Sequence, residues 1–213
     1  MNLLNRNYAE EIISLAIFAI CAVLAIFFPA QGSMQQFSSA FFFLFLLPFL
    51  YVRFILKKDL SQFGFNLRNN KTGLLWALAM LPISFLFVFI LIQFFDFREN
   101  YQLPAYLGSN FWAFLFYELV LVNFVFFLQE FFFKGFLLSI IAERLGLLSF
   151  LIQALLFALF ISIPAFDWMN AKYIILAFTG GIVAYKSKSF LYAYFMGLPF
   201  LILLDAYIIH SFK

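Results

Sequence analysis

The sequence predicts an all-α, polytopic transmembrane helix bundle of about seven spans, with its N-terminus inside. Three observations carry that prediction. Of the 213 residues, 66% are hydrophobic and 11% are charged, against about 45–50% and about 25% in an ordinary soluble domain. The apolar residues fall in runs near the length, about 18 residues or more, at which a helix crosses hydrocarbon with its own backbone satisfied. Lys and Arg, finally, are shared unequally between alternate connections, as the positive-inside rule requires.

In chain order the apolar runs cover 12–30, 37–56, 73–95, 111–128, 147–166 and 190–209. A shorter run, 173–185, is interrupted by Thr179, Gly180 and Gly181, small residues that let helices approach closely in lipid. The first run exceeds the 7–15 residues usual in a signal peptide and no A-x-A site follows Pro29–Ala30–Gln31, so it reads as an anchor. With the N-terminus inside, the inner connections collect Arg6, Arg53, Lys57, Lys58, Arg68, Lys71, Arg144, Lys186 and Lys188. The outer ones receive Arg98, Lys172 and Lys213, and Lys134 falls near a boundary. Dropping the short run would put Lys186 and Lys188 outside, so seven spans agree better than six. The chain then divides into two N-terminal helices (1–56), a cytoplasmic loop (57–72) and a helical core (73–213). The loop carries Gly64 and a turn signal at Asn69–Asn70; a second polar stretch, 96–110, holds Asp96, Glu99 and Pro104 and should face outward. The Phe clusters at 41–43 and 131–133 read as lipid-facing bulk.

Composition also narrows the chemistry. Cys21 is the single cysteine, which excludes an internal disulfide and a cysteine metal cluster. His210 is the single histidine, which excludes the ordinary hydrolytic zinc sites with two or three imidazoles. The net charge of +3 fits membrane topology rather than nucleic-acid binding.

An ionisable residue inside a span costs about 2.5–3.5 kcal/mol even on the milder scale and marks a functional-site hypothesis. Glu118, Glu130, Lys134 and Asp205 qualify, with Asn123 and Gln129 as polar companions. All but Asp205 lie on one proline-free segment, 111–144, long enough to run as a single helix of about 50 Å and to project past the hydrocarbon. On a regular helix Asn123, Glu130 and Lys134 share one face, and Glu118 and Gln129 share the neighbouring one. Glu130 and Lys134 form an i,i+4 pair. Two readings stay open: Lys134 snorkels to the interface and neutralises Glu130, or the pair faces a polar cavity inside the bundle.

The segment 118–146 resembles the first signature of the CPBP intramembrane proteases, the CAAX-protease and bacteriocin-processing family, whose members carry E-E-x-x-x-R ahead of glycine and apolar residues. Here the stretch reads Gln129-Glu130-Phe131-Phe132-Phe133-Lys134-Gly135, closed by Arg144-Leu145-Gly146. Leu155-Leu156-Phe157 resembles the start of the family's F-x-x-x-H signature, and 59–65 the segment before its core helices. Gly181 and the Lys188–Ser189 turn resemble its closing region, so the resemblance spans about 57–205.

The resemblance implies a metal-dependent protease with its active site sunk in the membrane, built from paired glutamates, two histidines and a terminal asparagine or aspartate. Position by position the chain departs from it. Gln129 replaces the first glutamate while Glu130 keeps the second, and Lys134 replaces the arginine, losing its planar fork. Ile161 stands at the F-x-x-x-H histidine. The third signature, H-x-x-x-N/D, falls on Gly197 and Leu201, or one turn later on Leu201 and Asp205. His210 is expected on the opposite side from Glu130.

A water-activating metal needs about three donor ligands and an open position, which Ile, Leu and Gly side chains cannot supply. A neutral glutamine cannot act as the general base. The leading expectation is therefore a catalytically inactive member of the family in the cell inner or plasma membrane. It would need no cofactor and would bind membrane lipid, membrane peptides or partner proteins, and no nucleic acid. The alternative is an active endopeptidase with a divergent site at Glu130 and Asp205, using zinc or another divalent ion. A third class is an ion-handling protein working through Glu118, Glu130 and Asp205, without the inverted repeat many transporters show.

Overall fold

The computed structural model describes residues 3–95, 97–101, 103–164 and 167–211. Asp96, Phe166 and Lys213 fall outside the described residues, as do the side chains of Arg6, Arg98 and Glu99. Among the described residues the chain is helical throughout, with no strand.

The main helices are α1 (Leu3–Phe27), α2 (Ser33–Ile55), α3 (Asn70–Phe94), α4 (Phe111–Leu145), α5 (Leu148–Ser162), α6 (Ala171–Ser187) and α7 (Phe190–Ser211). Five contain stretches long and apolar enough to cross a membrane: Tyr8–Phe27, Ser33–Ile55, Asn70–Phe94, Phe111–Leu145 and Phe190–His210. The runs at 147–166 and 173–185 become shorter helices. α5 and α6 have 15 and 17 residues, about 22 and 26 Å of rise against roughly 30 Å of hydrocarbon. α6 is nonetheless central, packing on α3, α5 and α7.

Two apolar clusters build the core. One joins α3, α6 and α7 through Leu176, Val183, Met196 and Phe200. The other joins α1, α2, α4 and α5 through Phe18, Leu44, Phe133 and Phe157. Outward faces stay apolar, as Leu74, Leu78, Leu86 and Phe89 of α3 illustrate, which is what a lipid-facing surface requires. The aromatic runs divide differently from the expectation. Phe41 and Phe42 are exposed, but Phe43, Phe131, Phe132 and Phe133 are buried. Phe133 stacks edge-on against Phe157 and Phe160 at 4.9 and 5.2 Å. Phe131 packs on Phe45, Phe65 and Phe190. These rings are core, because α4 is enclosed there on several sides.

α4 runs unbroken over its 35 residues, as the proline-free sequence predicts, but it is not regular. Wide π-type turns occupy Tyr117–Val122 and Phe131–Leu137. Each sets the following residues back relative to a regular helix, so the faces read at 3.6 residues per turn do not hold along its whole length.

The 57–72 segment is docked rather than loose. Asp59 accepts a hydrogen bond from the Ser61 N–H at 2.8 Å, opening the turn Leu60–Phe63. Gly64 closes it at φ +85°, where a side chain would be strained and a Cβ would stand 2.9 Å from the Phe190 nitrogen. Asn66 donates to the Ser61 and Lys188 carbonyls, and Ser189 donates to the Gly64 carbonyl at 2.9 Å. Arg68–Asn69 form the turn before α3.

Candidate functional site

The sequence-predicted polar residues separate into two buried centres, at opposite ends of the stretch from Glu118 to Glu130. Along α4 these carboxylates are twelve residues, about 18 Å, apart.

The first centre is Glu130 with Lys134. Both side chains are enclosed (4% and 3% exposed), and the ammonium donates to one carboxylate oxygen. The pair therefore faces the bundle, and the snorkelling reading is replaced by an interior one. Gly180 of α6 makes room for it: a Cβ there would lie 2.7 Å from Lys134 Nζ and 3.3 Å from the Ala193 Cβ. The neighbouring small residues serve other partners. Gly181 accommodates Gln153 of α5, whose oxygen a Cβ would approach to 2.7 Å. Thr179 shares a 2.9 Å hydrogen bond with Ser84 of α3. The small-residue run thus seats three neighbours at successive positions on the central helix. Glu130 Oε2, Gln129 Oε1 and both polar atoms of Gln153 have no hydrogen-bond partner among the described residues.

A cleft of about 490 Å³ reaches Lys134 from the end of the bundle where α4 and α6 stop. Lys134 forms part of its wall with Gln62, Gly64, Ser139, Glu143 and Lys186. A second cleft of about 710 Å³ adjoins it, sharing Gln62, Ser139 and Glu143. Its charged rim is organised by ion pairs of Glu10 with Lys58 and of Glu11 with Arg144, the latter at 3.0 Å. Arg144 also lies 4.1 Å above the Tyr8 ring. Asp59, at the same end, is held below the ordinary carboxylate range by its hydrogen bonds from Ser61.

The second centre gathers Glu118, Asp205, Lys172 and Tyr101. Lys172 donates to both oxygens of Asp205, at 2.9 and 2.7 Å, and the Tyr101 hydroxyl donates to one of them. All four residues are buried. Burial, reinforced by the Asp205 carboxylate, pushes the Tyr101 phenol well above its ordinary range.

Asp205 is thus bonded to Lys172 and Tyr101, whereas Glu130, with which it was expected to form a divergent site, is bonded to Lys134. Each carboxylate is taken by its own lysine. Lys172, expected as an outer interface charge, is instead an interior ion-pair partner. Asn123 does not join Glu130 and Lys134; it accepts a 2.6 Å hydrogen bond from Tyr194. Gln129 and Glu118 share no hydrogen bond among the described residues. At the signature positions, Ile161 is half-buried against the apolar cluster that contains Phe133 and Phe157, and Leu201 is fully buried. A Cβ on Gly197 would run into the Phe126 ring and stand 3.3 Å from Leu176. His210 is exposed, seventeen residues, about 26 Å, along α7 from Ala193 at the level of Lys134.

Sequence reasoning missed Tyr101, Lys172 and Gln153. The partner of Tyr101 and Lys172 lies 104 and 33 residues away, and Gln153 lies against Gly181 of another helix, so no local spacing signals them. A lysine opening an apolar helix and a tyrosine in a polar connection both have ordinary interfacial readings.

Among the described residues, no group of three or more His, Cys, Asp or Glu side chains is placed to hold a metal ion. No protein-family model, curated protein or solved structure matches the chain.

Proposed function

We propose that the chain is a multi-pass membrane protein of the CPBP kind, seven times membrane-crossing with its N-terminus inside, that has lost peptidase chemistry and binds membrane peptides. In this reading α5 and α6 cross as short helices, and the membrane is the cell inner or plasma membrane. The observation that carries it is the Glu130–Lys134 pair in the bundle interior, whose lysine forms part of the wall of the 490 Å³ cleft. The carboxylate that the family motif retains is neutralised by an adjacent lysine, and the position for a facing imidazole holds Ile161, half-buried against an apolar cluster. A carboxylate so held offers neither a free base nor a three-donor ligand set.

Further support comes from segments that resemble the family meeting in space. The 59–65 segment lies against the Lys188–Ser189 turn through Asn66 and Ser189. A Cβ on Gly135, beside Lys134, would meet the Phe63 carbonyl at 3.0 Å and the Phe190 ring at 3.1 Å. Chain elements more than 120 residues apart in sequence thus frame one cleft. Its polar wall suits the backbone end of a peptide entering from the membrane surface.

A photo-cross-linking residue at Ser139, on the cleft wall, tests the binding role against one at the exposed Leu155 of α5. In proteoliposomes with a defined synthetic transmembrane peptide, the Ser139 position should label the peptide and an excess of unlabelled peptide should compete. Equal, non-competed labelling from both positions counts against the proposal.

A further inference from the structure

The second buried centre carries a charge count that its hydrogen bonds leave unresolved. Asp205 on α7 accepts two bonds from Lys172 on α6 and one from Tyr101 in the α3–α4 connection, which leaves one of its acceptor positions open. Glu118 on α4 is completely buried and neither of its oxygens has a donor among the described residues. The charged groups that act on it are the Asp205 carboxyl, within hydrogen-bonding reach, and the Lys172 ammonium. The remaining groups around it are phenols: Tyr117 on its own helix, Tyr173 on α6, and Tyr101. Lys172 is fully engaged, lying 5.1 and 5.3 Å from the Tyr101 and Tyr173 rings in addition to its two bonds to Asp205.

Two ionised carboxylates side by side are both acceptors and cannot bond to each other. Two carboxylates with one ammonium also leave one negative charge buried without a partner, which proteins avoid. One proton removes both difficulties. Carried on Glu118, it turns that carboxyl into a donor to Asp205 and leaves one carboxylate matched with one ammonium. We propose that Glu118 and Asp205 share a bound proton, so that the centre formed with Lys172 and Tyr101 is a proton-binding site distinct from the Glu130–Lys134 cleft. The proton is the ligand, and no covalent step is involved. The site joins α4, α6, α7 and the α3–α4 connection at one point. Release of the proton would set two buried carboxylates against each other there and loosen that junction.

Infrared difference spectroscopy on the intact protein in detergent or lipid reads the proton directly, through the carbonyl stretch of a protonated carboxylic acid. At neutral pH the wild type minus Glu118→Gln difference should contain that band, shifted by deuterium exchange. Glu118→Gln should otherwise keep its fold, because the amide can donate to Asp205 as the proposed carboxylic acid does. Asp205→Asn offers a second variant, since it frees Lys172 to pair with Glu118 and should also abolish the band. A difference spectrum showing loss of an ionised carboxylate instead overturns the proposal. So does a protonated band that persists in both variants. If Glu118→Gln does not fold, Asp205→Asn and a pH titration of the wild-type band decide the same question. Adding sodium or potassium should leave the band in place; its displacement by either ion would make the centre a metal-cation site and overturn the proton assignment.

Discussion

Replacing Lys134 by methionine removes the ammonium that neutralises Glu130 and leaves the stem to fill the space beneath Gly180. Both partners are more than nine-tenths enclosed, so water cannot compensate the carboxylate left behind. Removing one partner of a buried ion pair costs about 3–5 kcal/mol. At roughly 2–4 °C per kcal/mol for a chain of this size, that corresponds to a fall in Tm of about 6–20 °C. Glu130→Gln leaves the lysine uncompensated and should cost a similar amount. The double variant Glu130→Gln/Lys134→Met contains no buried charge at this point and should recover most of the loss, because a matched neutral pair is often as stable as the ion pair it replaces. Thermal unfolding of the four proteins in one detergent, read as a double-mutant cycle, gives the coupling directly. A double variant whose loss equals the sum of the single losses would refute the interior pairing of Glu130 with Lys134. Small losses throughout would refute it equally, by placing the pair in water at the interface.

Gly180→Ala should destabilise by about 1–3 kcal/mol, since its Cβ would sit 2.7 Å from Lys134 Nζ; in a Lys134→Ala background the added cost should vanish, as chemical denaturation of the four combinations will reveal. Phe133→Ala should cost about 3–5 kcal/mol by opening a cavity among Phe18, Phe157 and Phe160, whereas Phe42→Ala, on an exposed face, should stay within about 1 kcal/mol by the same assay. Asp59 has a folded-state value below its ordinary one, so its cap on Ser61 contributes fully above the ordinary carboxylate range and is lost as the pH falls through the lower folded value. Tracking the Ser61 amide resonance against pH should show the cap released on the acid side only, and Asp59→Ala should remove the transition.

Much of the architecture is legible in the sequence because hydrocarbon imposes length and composition together. The continuity of α4 from Phe111 to Leu145 follows from the absence of proline, and the five full-length apolar helices follow from hydropathy. The central position of α6 was less accessible. Its length falls short of a span, and its small residues say that helices approach closely without saying which ones. The burial of Phe131–Phe133 was hidden for a related reason: a phenylalanine facing lipid and one facing protein are chemically alike, and only neighbours decide. The same holds at the polar centres. Glu130 and Lys134 are four residues apart, so helical geometry brings them together in advance. Lys172, Tyr101 and Asp205 meet only through the packing of α6, α7 and the α3–α4 connection.

In the proposed function the cleft at Lys134 binds membrane peptides without cleaving them. The most direct measurement is a peptidase assay on the purified protein in liposomes. It uses prenylated and transmembrane peptides of defined sequence, with zinc or another divalent ion added or chelated, and intact peptide is followed by mass spectrometry alongside cross-linking from Ser139. The prediction is competed cross-linking with the peptides left whole in every metal condition. Metal-dependent cleavage that disappears in Glu130→Ala would contradict it.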